Sequence, residues 1–292
     1  TFLLEAMNLI TKTILNNQMT LKNNDESISY LEENFPTNKP NKWCENYIYG
    51  MDPKFIMALT AKVNMVLHGD GSSHIFKYDG LAPLSSYNER KLSPINRSNS
   101  SVSNVEYLAS TKKSEKKYVD VCETFDVVLS NPPFGVTISD NVKSKLPRNF
   151  SLNSNNSSES LFFERWFQLL RPLGRIGVVL PESFFNTAEN MEARILMYRF
   201  FNIKAIVSLP QNMFVDTPTL TSLLFAQKKT KKEIELWDKE WSTVDKKVNN
   251  VMKSVRTLLK STKTCEKLED FKREILLKLS DIVDVNGYVV KK

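Results

Sequence analysis

The run Thr124-Phe125-Asp126-Val127-Val128-Leu129 ends in three consecutive apolar residues and passes straight into Ser130-Asn131-Pro132-Pro133-Phe134-Gly135. Successive side chains of a strand point to opposite faces, so such a run predicts a strand covered on both sides. Two prolines fix φ and remove two backbone donors, which stops the strand there. A second apolar run, residues 175–180, reads as another buried strand, and residues 203–209 and 219–227 read as two more. Helical spacing of apolar residues occupies 159–170 and about 189–201. Strands alternating with helices predict an α/β fold with a mainly parallel sheet flanked by helices.

The N-terminal part fits the same plan. Phe2, Leu3, Ala6, Leu9, Ile10 and Ile14 recur at helical spacing. Residues 16–42 are polar and read as Asn-rich turns. Tyr47 to Tyr49 reads as a short strand stopped by Gly50 and Pro53, followed by a helix over 54–68. Its apolar face would comprise Phe55, Ile56, Leu59, Val63 and Leu67, and Gly69 would cap its end. Residues 74–77 read as a strand leading to Asp79-Gly80-Leu81. Residues 85–117, rich in Ser, Asn and Lys, read as a polar surface insert.

Composition excludes several classes. No run of about 18 apolar residues exists to form a membrane-spanning helix. The three cysteines, Cys44, Cys122 and Cys265, are far apart, which fits a reduced, cytoplasmic setting better than a disulfide framework or a zinc site. Two histidines, His68 and His74, give little support to a histidine metal centre or a Ser-His-Asp hydrolase. Of the net charge of +7, residues 228–292 carry +6, from 17 basic and 11 acidic side chains. A basic, helix-patterned tail suits either a polyanionic partner or a solvated surface. Lys246, Lys247, Lys253, Arg256 and Lys260 are the candidate phosphate contacts. The division expected is 1–228 as one α/β domain and 229–292 as a basic helical region.

The sharpest chemical signal is Asn131-Pro132-Pro133-Phe134. Ligands of parallel α/β sheets bind outside the carboxyl ends of the strands, and the motif stands at that edge. The prolines keep their carbonyls, Asn131 adds a side-chain acceptor and donor, and Phe134 adds a flat face. Two acceptors beside a stacking ring suit an exocyclic or amide NH2 group. A proline turn with a buried Phe is the plainer alternative.

This tetrapeptide resembles motif IV of the amino-methyltransferases, and the surrounding chain is similar to the modification (M) subunit of type I restriction-modification systems in the N6-adenine DNA methylase family. Tyr49-Gly50-Met51-Asp52-Pro53 resembles that family's second motif, Asn64 through Leu81 its path into the third, and Gly174 to Pro181 and Leu209 to Phe214 its later strands. The resemblance implies a Rossmann-like class I S-adenosylmethionine-dependent methyltransferase fold. It implies that Asn131 and the Pro132 carbonyl hold the target amino group, within a turn completed by Pro133, while Phe134 stacks on the extruded base. Asp52 would take the cofactor's ribose hydroxyls, although an Asp before a Pro also makes a good helix cap. Asp79, followed by Gly80, would take the cofactor's adenine amino group, with an Asp-Gly turn as the alternative. Met51 and Leu81 would pack on that adenine, Thr1 and Phe2 would follow the cofactor loop, and Phe214 would wall the base pocket. The family's glycine-rich loop and first strand would precede Phe2, so the resemblance implies a chain incomplete at its N-terminus.

The implied activity is methyl transfer to adenine N6 of DNA, with a DNA-specificity (S) subunit as partner and a second M subunit and a restriction subunit as further ones. Cytosine N4, RNA adenine and protein glutamine are alternative targets for the same motif. A catalytically inactive interaction module is the alternative of a different class.

Overall fold

The computed structural model describes residues 2–69, 74–82, 103–107, 117–121, 123–136, 157–211, 213 and 219–261. The chain divides into two compact units, Thr1–Lys229 and Thr230–Lys292.

The first unit opens with helices α1 (Phe2–Asn16), α2 (Gln18–Leu21), α3 (Asp25–Asn34) and α4 (Cys44–Tyr47). Strand β1 (Tyr49–Asp52), helix α5 (Phe55–Leu67) and strand β2 (His74–Lys77) follow. β1 and β2 pair in parallel, with Asp52 opposite Lys77. Strands β3 (Ser103–Tyr107) and β4 (Lys117–Val121) form an antiparallel pair. Then come β5 (Phe125–Ser130), α6 (Ser158–Leu169), β6 (Leu170–Pro181), α7 (Glu182–Asn186), α8 (Met191–Phe200), β7 (Phe201–Ser208) and β8 (Thr221–Lys228).

The last four strands form one sheet in the order β5-β6-β8-β7. β5 and β6 are parallel, Ser130 lying opposite Val178. β8 runs antiparallel to both β6 and β7, so β5, β6 and β7 point the same way. A helical crossover carries the chain back to the start of a parallel neighbour, as α5 and α6 do here. This is an α/β architecture, and in its four-stranded sheet all strands share one direction except β8. That reversal has no signature in the alternating pattern of β8 itself.

α6 is the centre of the first unit's core. Leu161, Phe163, Trp166 and Phe167 are buried with Phe184, Phe200 and Phe201. The Phe163 ring stands edge-on to Phe201 at 5.2 Å, and Phe167 packs on Phe200 at 4.2 Å. A separate cluster joins Met7, Leu31, Trp43, Cys44, Met65 and Ile75.

Several expectations need correction. The polar stretch 16–42 forms α2 and α3, and the Asn24 side chain caps α3 by accepting the Ser27 N–H at 2.7 Å. The strand expected at Tyr47–Tyr49 lies later, with Gly50 inside it. A Cβ on Gly50 would stand 2.7 Å from both Ile75 Cδ1 and Leu3 Cδ1, so close packing keeps a glycine in the strand. The face predicted for α5 is largely exposed, whereas Ala58 and Met65 are buried. The sequence predicts β5 covered on both faces, yet Val127 is 53% and Leu129 39% exposed: these two residues share one face of the strand, and among the described residues no element covers it. Part of the insert, Ser103–Tyr107, is a strand; most of its remaining residues lie outside the described ones.

In the second unit, helix α9 (Lys231–Ser261) is described. Thr230 starts it with a capping box: its N–H donates to Glu233 Oε2 at 2.7 Å, and the Glu233 N–H returns to Thr230 Oγ1 at 3.3 Å. The break expected near 261–264 lies past the described residues.

Candidate active site

Asn131 follows the last residue of β5, at the carboxyl edge of three strands that share a direction. It is exposed, Pro132 is buried, Pro133 is exposed and Phe134 is half-buried. The turn closes at Gly135, whose φ of +63° lies in the left-handed region that favours glycine.

The first turn of α6 holds this loop from below. Glu159, 5% exposed, accepts the Gly135 N–H on Oε1 at 2.8 Å. Its Oε2 lies 2.7 Å from Ser157 Oγ and 3.1 Å from Ser158 Oγ. Ser158 Oγ also lies 3.0 Å from the Pro133 carbonyl. A hydroxyl has one proton, so Ser158 donates to either the carbonyl or the carboxylate at any moment.

Asp52 ends β1. Its Oδ1 accepts the Lys54 N–H at 2.8 Å, and its carbonyl accepts the Tyr78 N–H at 3.0 Å. The cap residue of α5 is Lys54, so Asp52 forms an Asx-type turn ahead of the helix instead of capping it. Asp79 follows β2, and its Oδ1 accepts the Leu81 N–H at 2.9 Å while its carbonyl accepts the Ala82 N–H at 3.1 Å. Both carboxylates therefore stand at the carboxyl ends of neighbouring parallel strands, each with one oxygen committed to its own turn.

α6 reaches this second loop as well. Arg165, 1% exposed, donates from Nη2 to the carbonyls of Ala82 at 2.8 Å and Leu81 at 3.3 Å. A Cβ on Gly80 would lie 3.2 Å from Phe162 Cε1. Glu159, Phe162 and Arg165 are spaced by three along one helix and serve two loops. Met51, Phe76 and Phe125 belong to one apolar cluster, and the Tyr49 ring meets Phe125 edge-on at 5.7 Å, which ties β1 to β5.

The structure thus links Asp52, Asp79, Gly80, Leu81 and the Asn131–Gly135 turn through β1, β2, β5 and α6. Leu81 is buried and Met51 half-buried. Phe2 is 46% exposed at the start of α1, whose Leu3 approaches Gly50. Thr1 and Phe214 lie outside the described residues. Lys246, Lys247 and Lys253 are exposed on α9, which also carries Arg256 and Lys260. Glu159, Ser158 and Arg165 were missed from sequence. The Ser157-Ser158-Glu159 string ahead of an apolar helix is the one signal that was available for the first two.

Two carboxylates at adjacent strand ends, each with a second oxygen to offer, suit a diol and an amino donor. Met51 and Leu81, which flank them in the chain, are apolar and suit a heteroaromatic ring. This donor set fits S-adenosylmethionine. Among the described residues no group of three or more His, Cys, Asp or Glu is placed to hold a metal ion. Nor is any described helix long and apolar enough to cross a membrane.

A profile of the family described as N-6 DNA Methylase matches residues 26–287, well over half of the chain. The methylase subunit of the type I restriction enzyme EcoEI from Escherichia coli is 26% identical over 207 residues, covering 69% of this chain and 35% of the relative. The methylase subunit of the type I restriction enzyme MpnII from Mycoplasma pneumoniae is 26% identical over 132 residues, covering 42% of this chain and 24% of the relative. Among solved structures, the M protein of the type I restriction enzyme EcoKI aligns with a TM-score of 0.46 at 18% identity, covering 71% of this chain and 36% of that one. The chain spans about a third or less of the length of these relatives.

Proposed function

This chain belongs to the N-6 DNA methylase family, and from that premise we propose that it carries catalytic machinery for methyl transfer to adenine N6 of DNA. The observation that carries the proposal is the Asn131-Pro132-Pro133-Phe134 turn at the carboxyl end of β5, anchored on α6.

S-adenosylmethionine, when bound, supplies an electrophilic methyl group. Asp52 would hold its ribose hydroxyls and Asp79 its adenine amino group, with Leu81 and Met51 against the ring. The Asn131 side-chain oxygen and the Pro132 carbonyl would accept the two hydrogens of the target amine. Holding both hydrogens in one plane would turn the nitrogen lone pair out of it, towards the methyl group that the cofactor supplies as its S–C bond electrons stay on sulfur. The proton the amine then sheds would leave along its hydrogen bond to Asn131 or the Pro132 carbonyl and pass to water. Phe134 would stack on a base turned out of the duplex, which offsets part of an unstacking cost of about a few kcal/mol. Placing amine and methyl carbon in line accounts for much of the acceleration, since orientation alone can supply about 7–11 kcal/mol in favourable cases.

By this reading residues 1–228 are the catalytic domain and 229–292 a basic helical region. Sequence specificity would come from a separate S subunit, with a second M subunit and a restriction subunit in a larger cytoplasmic assembly. The type I methylase subunits among its relatives support those partners.

The test is transfer of labelled methyl groups to duplex DNA, single-stranded RNA and protein by the chain with its S subunit. The expected product is N6-methyladenine in duplex DNA, lost on Asn131→Ala with S-adenosylmethionine affinity retained. Product on N4 of cytosine, RNA or glutamine would reassign the substrate. A second reading, an interaction module without catalysis, is favoured by the exposed apolar residues Phe55, Ile56 and Met57 on α5. A folded chain that binds its partner subunit but no S-adenosylmethionine would support it.

A further inference from the structure

We infer that Glu159 and Ser158 are positioning residues that set the geometry of the Asn131–Gly135 turn, an inference that rests on the methyl-transfer reading above. Pro132 and Pro133 have no N–H, so nothing can grip the middle of the turn by a backbone donor. The turn offers the Pro133 carbonyl and the Gly135 N–H, and both are taken by consecutive residues of α6. Glu159 is 5% and Ser158 2% exposed, so neither side chain is a surface group that happens to lie nearby. The carboxylate sits in the first turn of α6, where the helix favours negative charge. The Ser157 hydroxyl donates to its second oxygen, and the single Ser158 proton alternates between that oxygen and the Pro133 carbonyl.

Gly135 alone does not fix the turn. Among the described residues a Cβ there would meet nothing within 4 Å, so packing against them does not hold the turn, whereas the hydrogen bond from its N–H to Glu159 does. Asn131 itself is exposed and stands four residues before that anchor. Its distance from any bound base therefore depends on how the strand end and the anchor hold the two prolines between them. Release of the anchor leaves Asn131, Pro132 and Phe134 chemically intact and geometrically loose. Loss of rate without loss of cofactor affinity follows, because Asp52 and Asp79 are held by other contacts.

The experiment compares wild type with Glu159→Ala, Glu159→Gln and Ser158→Ala in two ways. Amide hydrogen exchange of the peptide spanning 131–136 reports on Asn131, Phe134, Gly135 and Val136, since the prolines have no amide. Glu159→Ala should speed exchange at Gly135 about tenfold or more, the factor expected for loss of one charge-assisted hydrogen bond. Peptides from 161–169 should be unchanged. Steady-state methyl transfer to duplex DNA should show kcat lowered about tenfold or more, with S-adenosylmethionine affinity within about twofold. Glu159→Gln should recover most of both, because its amide oxygen still accepts the Gly135 N–H. Ser158→Ala should fall between wild type and Glu159→Ala. Unchanged exchange in folded Glu159→Ala would overturn the inference. So would equal loss of kcat in the Ala and Gln variants. A wild-type chain that transfers no methyl group would instead overturn the functional reading, and the exchange result would still decide whether Glu159 holds the turn.

Discussion

The guanidinium of Arg165 donates to the carbonyl of Ala82 at 2.8 Å, across 83 residues of sequence. Six residues earlier on the same helix, Glu159 takes the Gly135 N–H. One helix therefore sets the loop proposed for the cofactor and the loop proposed for the target base. Arg165→Met keeps an apolar stem and leaves the carbonyls of Leu81 and Ala82 without that donor. Thermal unfolding should show a loss of about 1.5–3 kcal/mol, the range for a hydrogen bond to a charged group. Titration with S-adenosylmethionine should show weakened binding, because the turn carrying Asp79 loses its tether.

Asp79 allows the turn to be separated from the ligand. Asp79→Asn retains an acceptor for the Leu81 N–H and gives up the negative charge. Its melting temperature should match wild type, and its affinity for S-adenosylmethionine should fall about tenfold, as for one charge-assisted contact. Asp79→Ala should lower both. Equal affinity of wild type and Asp79→Asn would remove Asp79 from the ligand.

The Asn131–Phe134 turn was legible because its chemistry is local: a strand, two prolines and an aromatic are contiguous. Its support was not. Glu159 meets Gly135 across 24 residues, and no periodicity encodes such an approach. The same limit explains the strand misplaced around Gly50. Its tolerance of glycine comes from Leu3 and Ile75, which are distant in sequence. The exposure of Val127 and Leu129 depends on what packs over their face of the sheet and not on the residues themselves. α3 was readable in retrospect, since Asn24 precedes Asp25 and Glu26 as cap and acidic first turn.

Gly174 tests close backbone packing. A Cβ there would stand 2.8 Å from the Arg171 carbonyl and 3.2 Å from that of Asp126, and main chain yields less readily than a side-chain end. Gly174→Ala should destabilise the chain by about 1–3 kcal/mol, as overpacking does. Chemical denaturation should show the midpoint lowered with its slope unchanged.

Two ion pairs separate burial from charge. The side chains of Arg171 and Asp126 are 58% and 69% exposed and form a surface pair. Removal of either should change stability by less than about 1 kcal/mol, because water and salt screen the attraction. Lys228 is different. Its side chain is 2% exposed, and Nζ donates to Glu123 Oε1 at 2.9 Å and to the carbonyls of Phe167 at 2.9 Å and Leu170 at 2.7 Å. All three ammonium protons are used, and two of the acceptors lie where α6 gives way to β6. Lys228→Met preserves the stem but strands a partly buried carboxylate and two carbonyls. The expected loss is about 3–5 kcal/mol, the range for breaking one side of a buried pair. A double variant, Lys228→Met with Glu123→Gln, should recover part of that loss by removing the stranded charge. No recovery in the double variant would place the cost in the carbonyls of Phe167 and Leu170, making Lys228 chiefly a clamp on the junction of α6 and β6.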